Sequence, residues 1–129
     1  MPALNTNKIV ICDRFLDSSF VYQGMVGGLN KKIISNIHDE FCFKKYPDLT
    51  ILLNVTPKIG LERKKKTTLI ENRFENFKSE FHNLVQTKFL ELASINSHRY
   101  RVINADNETD FIFNEIIEQI KHFFSINLK

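Results

Sequence analysis

The sequence has 129 residues, of which 43% are hydrophobic and 26% charged, a composition that is ordinary for a globular domain and excludes wholesale disorder. The formal net charge of +3 is too small to indicate nucleic-acid binding, and no apolar run approaches the roughly 20 residues of a membrane helix. The first residues lack a signal-peptide pattern and the two cysteines are too few for a disulfide framework. We therefore expect one cytoplasmic domain over residues 1–129.

Three apolar runs predict buried β-strands, over residues 8–12, 48–55 and 100–105. The first run ends abruptly at Asp13, as a buried strand does at its carboxyl end. The two later runs are apolar on both faces, which favours a parallel sheet covered by helices. The predicted fold class is therefore α/β.

The intervals between the predicted strands show helical periodicity. Apolar residues recur at helical spacing over residues 29–41, 74–92 and 113–124. Thr56 followed by Pro57 predicts the start of another helix, because proline favours the first helical position. Thr109 or Asn107 is expected to cap the last helix.

Polar residues follow the end of the first predicted strand, where ligands bind in open α/β sheets. Asp13 is suited to Mg²⁺ in a nucleotide site, and the guanidinium of Arg14 is suited to phosphate oxygens. Ser19, Tyr22 and Gln23 follow within a few helical turns and could contact a sugar or a base. On spacing alone, a buried ion pair or a helix cap explains the Asp-Arg pair better.

The full string from Val10 to Gly24 resembles the nucleoside-monophosphate site of thymidylate kinases, which reads Asp-Arg-aromatic, then Ser, then Tyr-Gln-Gly. Residues 46–57, 63–75 and 103–106 are similar to later segments of that family, so the resemblance runs from about residue 2 to 124. It implies a nucleoside-monophosphate-kinase-like parallel sheet with flanking helices. It also implies the reaction ATP + dTMP to ADP + dTDP in dTTP biosynthesis, Mg²⁺ as cofactor, and a homodimer.

The resemblance implies a role for each matched acceptor-site residue. Asp13 would assist Mg²⁺ and phosphate positioning, and Arg14 would bind the phosphate of dTMP. Ser19 would contact the thymine ring, Tyr22 would pack on the deoxyribose, and Gln23 would lie beside the nucleoside. The catalytic residues implied are Asp13 and Arg14, together with an arginine of the lid.

The lid implied by the resemblance covers residues 63–75. Arg73 would lie over the transferring phosphate and neutralise its oxygen charge, as an arginine finger does. Arg63 occupies the basic position at the entrance of the lid, and Ala105 and Asn107 would border the adenine of ATP.

One motif of the family does not occur in these 129 residues. The Gly-x-x-x-x-Gly-Lys-Ser/Thr P-loop, whose amides and lysine bind donor phosphates, is absent, and only four glycines occur. The resemblance therefore implies that the first strands of the fold and the P-loop are missing from this chain. We expect the chain to be inactive alone, unless a separate N-terminal half supplies the P-loop.

Two other functions remain open from the sequence. The chain could be a non-catalytic dTMP-binding module or a remnant of the kinase, or it could be a nucleic-acid-binding domain that uses Lys64, Lys65 and Lys66. A lysine run is more typical of a solvated helix end, so nucleic acid is not an expected partner. His38 and Cys42 have the spacing of a metal pair on a helix but lack further ligands, so no protein-held metal cluster is expected.

Overall fold

The computed structural model describes residues 2–67 and 75–126, and the chain divides into two compact units, Met1–Lys45 and Tyr46–Lys129. Each unit has buried apolar residues of its own. Leu16, Val21 and Ile34 are buried in the first, and the second buries apolar residues of its strands and of one long helix. The expectation of one domain over residues 1–129 stays a prediction.

The described part of the first unit is helical. It contains α1 (Pro2–Asn5), α2 (Leu16–Ser19), a π-helix (Phe20–Val26) that continues α2, and α3 (Lys31–Phe41). Asn30 caps α3 because its side-chain oxygen accepts a hydrogen bond from the main-chain N–H of Lys32 at 2.8 Å. Gly24 lets α3 pack closely on the π-helix, since a Cβ there would lie 3.1 Å from Cδ1 of Ile34.

The first predicted strand is wrong in this structure. Residues 8–12 form neither helix nor strand, and Ile9, Val10 and Ile11 are exposed, Ile11 to 89%. A strand exists only while its main-chain N–H and C=O groups pair with a neighbouring strand. No strand among the described residues pairs with this run, so its apolar side chains stay exposed.

A two-stranded parallel sheet forms the centre of the second unit. Strand β1 (Thr50–Asn54) pairs with β2 (Tyr100–Asn104) in a register that runs from Thr50 opposite Tyr100 to Asn54 opposite Asn104. The main-chain N–H of Ala105 extends the ladder by donating to the carbonyl oxygen of Asn54 at 2.8 Å. The second and third predicted strands are therefore confirmed, in slightly shorter form, and so is their parallel pairing.

Three helices accompany this sheet within the described residues: α4 (Pro57–Thr67), α5 (Glu75–Ile95) and α6 (Thr109–Phe124). Val85, Leu92 and Ala93 of α5 are buried, and Ile103 of β2 is only 1% exposed. The order of strands and helices confirms the α/β class. None of the helices in the described ranges is long and apolar enough to cross a membrane.

The helix starts were predicted with mixed success. Pro57 is the first residue of α4, as expected. The predicted cap of α6 at Thr109 or Asn107 is wrong, because Glu108 occupies the N-cap position and its side chain makes no capping hydrogen bond. The amide of Asn107 instead donates to the carbonyl oxygen of Asn104 at 3.4 Å, which commits it to the turn that precedes the helix.

Candidate functional site

The structure brings Arg14 and Tyr22 together in the first unit. The guanidinium carbon of Arg14 lies 5.4 Å from the centre of the Tyr22 ring, a cation–π contact. Arg14 has a φ of +60°, in the left-handed region that costs a residue with a Cβ about 1–2 kcal/mol. Asn7, Phe43, Lys44 and Ser125 also have a positive φ, so the strain alone does not mark Arg14 as a functional residue.

The other predicted acceptor residues lie on or beside the π-helix. Ser19 ends α2 and is half-buried, whereas Gln23 lies one residue after Tyr22 and is exposed. A π-helix shifts the side chains that follow it relative to an α-helix and often occurs at functional sites. Glycine is required where it ends, because a Cβ on Gly27 would lie 2.8 Å from the carbonyl oxygens of Tyr22 and Gln23.

Asp13 and Arg14 are exposed at the bend that precedes α2. Behind this bend, the ring of Phe15 meets the ring of His38 edge-on, with 5.1 Å between their centres. His38 is buried, and its Nε2 atom lies 2.6 Å from the carbonyl oxygen of Lys45. His38 thus supports the bend by packing and hydrogen bonding. The residues described by the structure contain no group of three His, Cys, Asp or Glu side chains that could hold a metal ion.

A second cluster lies in the second unit, around the β2–α6 turn (residues 105–107). Arg63 of α4 donates through Nη1 to the carbonyl oxygen of Ala105 at 2.5 Å. Its Nη2 donates to the carbonyl oxygens of Asp106 and Asn107, each at 3.0 Å. Three of the residues expected at the ATP side, Arg63, Ala105 and Asn107, are therefore in direct contact.

Two residues of this cluster were missed by the sequence reasoning, Thr56 and Asp106. The main-chain N–H of Thr56 donates to Oδ1 of Asp106 at 2.7 Å, and the Thr56 hydroxyl donates to Oδ2 at 2.5 Å. The positions of the two strands in the sequence could have indicated that Thr56 and Asp106 lie close together. Each is the second residue after its strand, and the strand ends Asn54 and Asn104 are paired in a parallel register.

The hydrogen bonds from Thr56 lower the pKa of the Asp106 carboxyl below its ordinary value, the hydroxyl contributing more than the main-chain N–H. The Arg63 charge lowers the pKa further, whereas desolvation opposes the shift. Because the pKa is lower in the folded chain, Asp106 stabilises the fold above the unfolded-state value of about 3.9. That contribution is lost as the pH falls through the folded-state pKa.

We therefore expect the free energy of unfolding to fall more steeply below about pH 4 in the native sequence than in Asp106→Asn. Urea unfolding at a series of pH values between about 6 and 2.5 measures both curves. Asp110→Asn is the matched control, because Asp110 is an aspartate in the first turn of α6 and its side chain is exposed. An identical loss of stability on acidification in Asp106→Asn and the native chain would contradict the expectation.

The predicted lid is only partly within the described residues. Arg63 belongs to α4, but Arg73 lies outside the described ranges, as does most of the segment 63–75. The role of Arg73 therefore stays a prediction. The same holds for the side chains of Lys64, Lys65 and Lys66.

Comparison with known proteins gives one consistent result. The family model described as thymidylate kinase matches residues 1–116. The thymidylate kinase of Maridesulfovibrio salexigens is 43% identical over 98% of this chain and 63% of its own length. That of Staphylococcus haemolyticus is 36% identical over 95% of this chain and 61% of its own length.

A solved structure is similar as well. The crystal structure of thymidylate kinase from Ehrlichia chaffeensis matches with a TM-score of 0.66 and 30% identity, over 92% of this chain and 55% of that one. The chain thus spans less than two thirds of the length of each of these three proteins. The fold and the order of the matched segments are shared over nearly the whole of this chain.

Proposed function

The chain belongs to the thymidylate kinase family, and from this premise we propose that it forms the dTMP-binding part of an enzyme that transfers the γ-phosphoryl group of ATP to dTMP. The products are ADP and dTDP. The observation that carries the proposal is the contact between Arg14 and Tyr22 at 5.4 Å. It brings the arginine of the Asp-Arg-aromatic motif next to the tyrosine of the Tyr-Gln-Gly motif.

Arg14 binds the phosphate of dTMP in this proposal. Its guanidinium is planar and can donate two parallel hydrogen bonds to phosphate oxygens. The left-handed backbone and the Tyr22 ring restrict where the exposed guanidinium can lie, so less conformational entropy is lost on binding. Tyr22 then packs on the deoxyribose, while Ser19 and Gln23 supply hydrogen bonds to the nucleoside.

Asp13 fits the Mg²⁺ that accompanies ATP. Protein sites usually bind Mg²⁺ through one or two carboxylates and complete its shell with water and substrate phosphates. The exposed carboxylate of Asp13, next to the phosphate-binding arginine, is a donor of this kind. Asp13 would hold the metal indirectly, through water, and the bound metal would supply charge neutralisation to the phosphoryl oxygens.

The donor nucleotide is served by the second unit in this proposal. Ala105 and Asn107 border the adenine of ATP, and Arg63 lies at the entrance of the lid. Arg73 neutralises the transferred phosphoryl group when the lid closes. Phosphoryl transfer needs little covalent chemistry from the protein, so these residues act by positioning and by charge.

Three further properties belong to the proposal. The donor phosphates need a P-loop, which these 129 residues do not contain, so a separate N-terminal half that carries the P-loop completes the site. The enzyme acts as a homodimer. It works in the cytoplasm, in keeping with free thiols at Cys12 and Cys42.

Equilibrium binding of dTMP to the 129-residue chain tests this proposal, with dUMP and dAMP as competitors measured by titration calorimetry. We expect saturable binding of dTMP, binding of dUMP that is weaker by about 10-fold or more because one methyl group is absent, and much weaker binding of dAMP. Equal binding of the three nucleotides, or none, would show that Arg14 and Tyr22 do not form a thymidylate site.

A further inference from the structure

We infer that Asp106 is a positioning residue, which holds the β2–α6 turn against the start of α4 and so directs three main-chain carbonyls at the guanidinium of Arg63. That Arg63 serves ATP rests on the proposed function. Its positioning by Asp106 does not.

Arg63 needs a well-ordered turn to make the contacts that it makes. Its two terminal nitrogens reach the carbonyl oxygens of three consecutive residues, at 2.5, 3.0 and 3.0 Å. Three consecutive carbonyls in an extended segment would point in alternating directions. They converge on one guanidinium only because the chain is curved at residues 105–107.

The curvature of the turn is set at Asp106 and Asn104. The main-chain N–H of Asp106 donates to Oδ1 of Asn104 at 3.0 Å, and the amide of Asn107 donates to the carbonyl oxygen of Asn104. Side-chain hydrogen bonds of this local kind give the backbone a turn in place of a continued strand. The turn is thus closed on the side of β2 by Asn104.

Asp106 fastens the other side of the turn to α4. Both oxygens of its carboxylate accept hydrogen bonds from Thr56, one from the main chain and one from the hydroxyl. Thr56 also accepts the first helical hydrogen bond of α4, from the N–H of Gly60 at 2.9 Å. Asp106 therefore binds the residue that immediately precedes α4.

Helix α4 connects the contact at Thr56 with the contact at Arg63. Arg63 is the seventh residue after Thr56, a spacing that returns to the same face of an α-helix after two turns. The β2–α6 turn is therefore bound to that face at two points, at Thr56 through the Asp106 carboxylate and at Arg63 through the carbonyls. Loss of the first point frees the turn to move away from the second.

Proton exchange at the Arg63 guanidinium, followed by nuclear magnetic resonance of its side-chain N–H groups, tests the inference. The Arg63 signals are assigned by their loss in Arg63→Lys. In Asp106→Asn the amide nitrogen cannot accept from the Thr56 hydroxyl, so we expect exchange at Arg63 to become about 10-fold faster. Thr56→Val should speed exchange in the same direction, and Thr56→Ser, which keeps the hydroxyl, should restore the native rate.

Asp110→Asn is the matched control, since it removes one negative charge near the start of α6, and its exchange at Arg63 should match that of the native chain. Circular dichroism reports whether each variant keeps its helices. Unchanged exchange at Arg63 in a folded Asp106→Asn would overturn the inference. If that variant does not fold, the comparison of Thr56→Val with Thr56→Ser decides in the same way.

Failure of the proposed function gives a different result. Titration of dTMP into the same samples involves the first unit alone, so Asp106→Asn should bind dTMP as the native chain does. If the native chain binds no dTMP, the proposed function is refuted. If exchange at Arg63 is nevertheless faster in Asp106→Asn, the positioning role of Asp106 still holds.

Discussion

A polypeptide of these 129 residues is expected to form no ADP that depends on dTMP. Transfer of the γ-phosphoryl group requires both nucleotides to be fixed relative to each other, and effective molarities from such positioning account for much of the catalytic effect. The sequence contains no P-loop to bind the β- and γ-phosphates of ATP. Its rate should therefore lie orders of magnitude below the roughly 1–100 s⁻¹ that is typical of kinases.

A coupled assay of ADP formation measures this, with the Maridesulfovibrio salexigens thymidylate kinase as the positive control. Fusing the N-terminal part of a thymidylate kinase, with its first strands and its P-loop, before Met1 should produce dTMP-dependent activity. The same fusion with alanine in place of the P-loop lysine should not. Ordinary kinase rates from the 129-residue chain alone would refute the expectation, because groups other than a P-loop would then bind the donor phosphates.

Two of the three predicted strands are present in the structure. An apolar run indicates a segment that can be buried in a sheet, but it does not indicate whether a neighbouring strand is there to pair with it. Residues 50–54 and 100–104 lie in register with each other, so both runs become strands. The run at residues 8–12 has the same pattern and stays outside the sheet, since pairing is a property of two segments. Helical periodicity likewise predicts an apolar face but not what covers it. In α3, Ile34 is buried but Ile33 and Ile37 are exposed.

The part of the candidate site that lies within one local motif could be proposed from the sequence, and the roles of its residues stay predictions. Arg14 and Tyr22 were identified from one short string, and the structure brings them into contact. Thr56 and Asp106 were missed because their contact spans 50 residues of sequence and depends on strand register. The strain at Arg14 could not be predicted either, since no local pattern requires a residue with a Cβ to adopt a φ of +60°.

Replacement of Arg14 is expected to weaken dTMP binding by about 10- to 100-fold, because hydrogen bonds to charged groups are worth about 1.5–3 kcal/mol. Arg14→Lys should recover only part of the loss, since an ammonium group keeps the charge but not the paired donors. Lys44→Ala is the matched control, because Lys44 is an exposed cation of the same unit and also has a positive φ, of 54°. It should leave dTMP binding unchanged.

The strained backbone allows a sharper comparison, between Arg14→Ala and Arg14→Gly. Both remove the guanidinium and should bind dTMP equally weakly. Only glycine adopts a φ of +60° without cost, so Arg14→Gly should unfold with a free energy about 1 kcal/mol higher than Arg14→Ala. Urea unfolding measures the difference. Equal stabilities would mean that the backbone at residue 14 is unstrained, and native dTMP affinity in either variant would mean that another cation binds the phosphate.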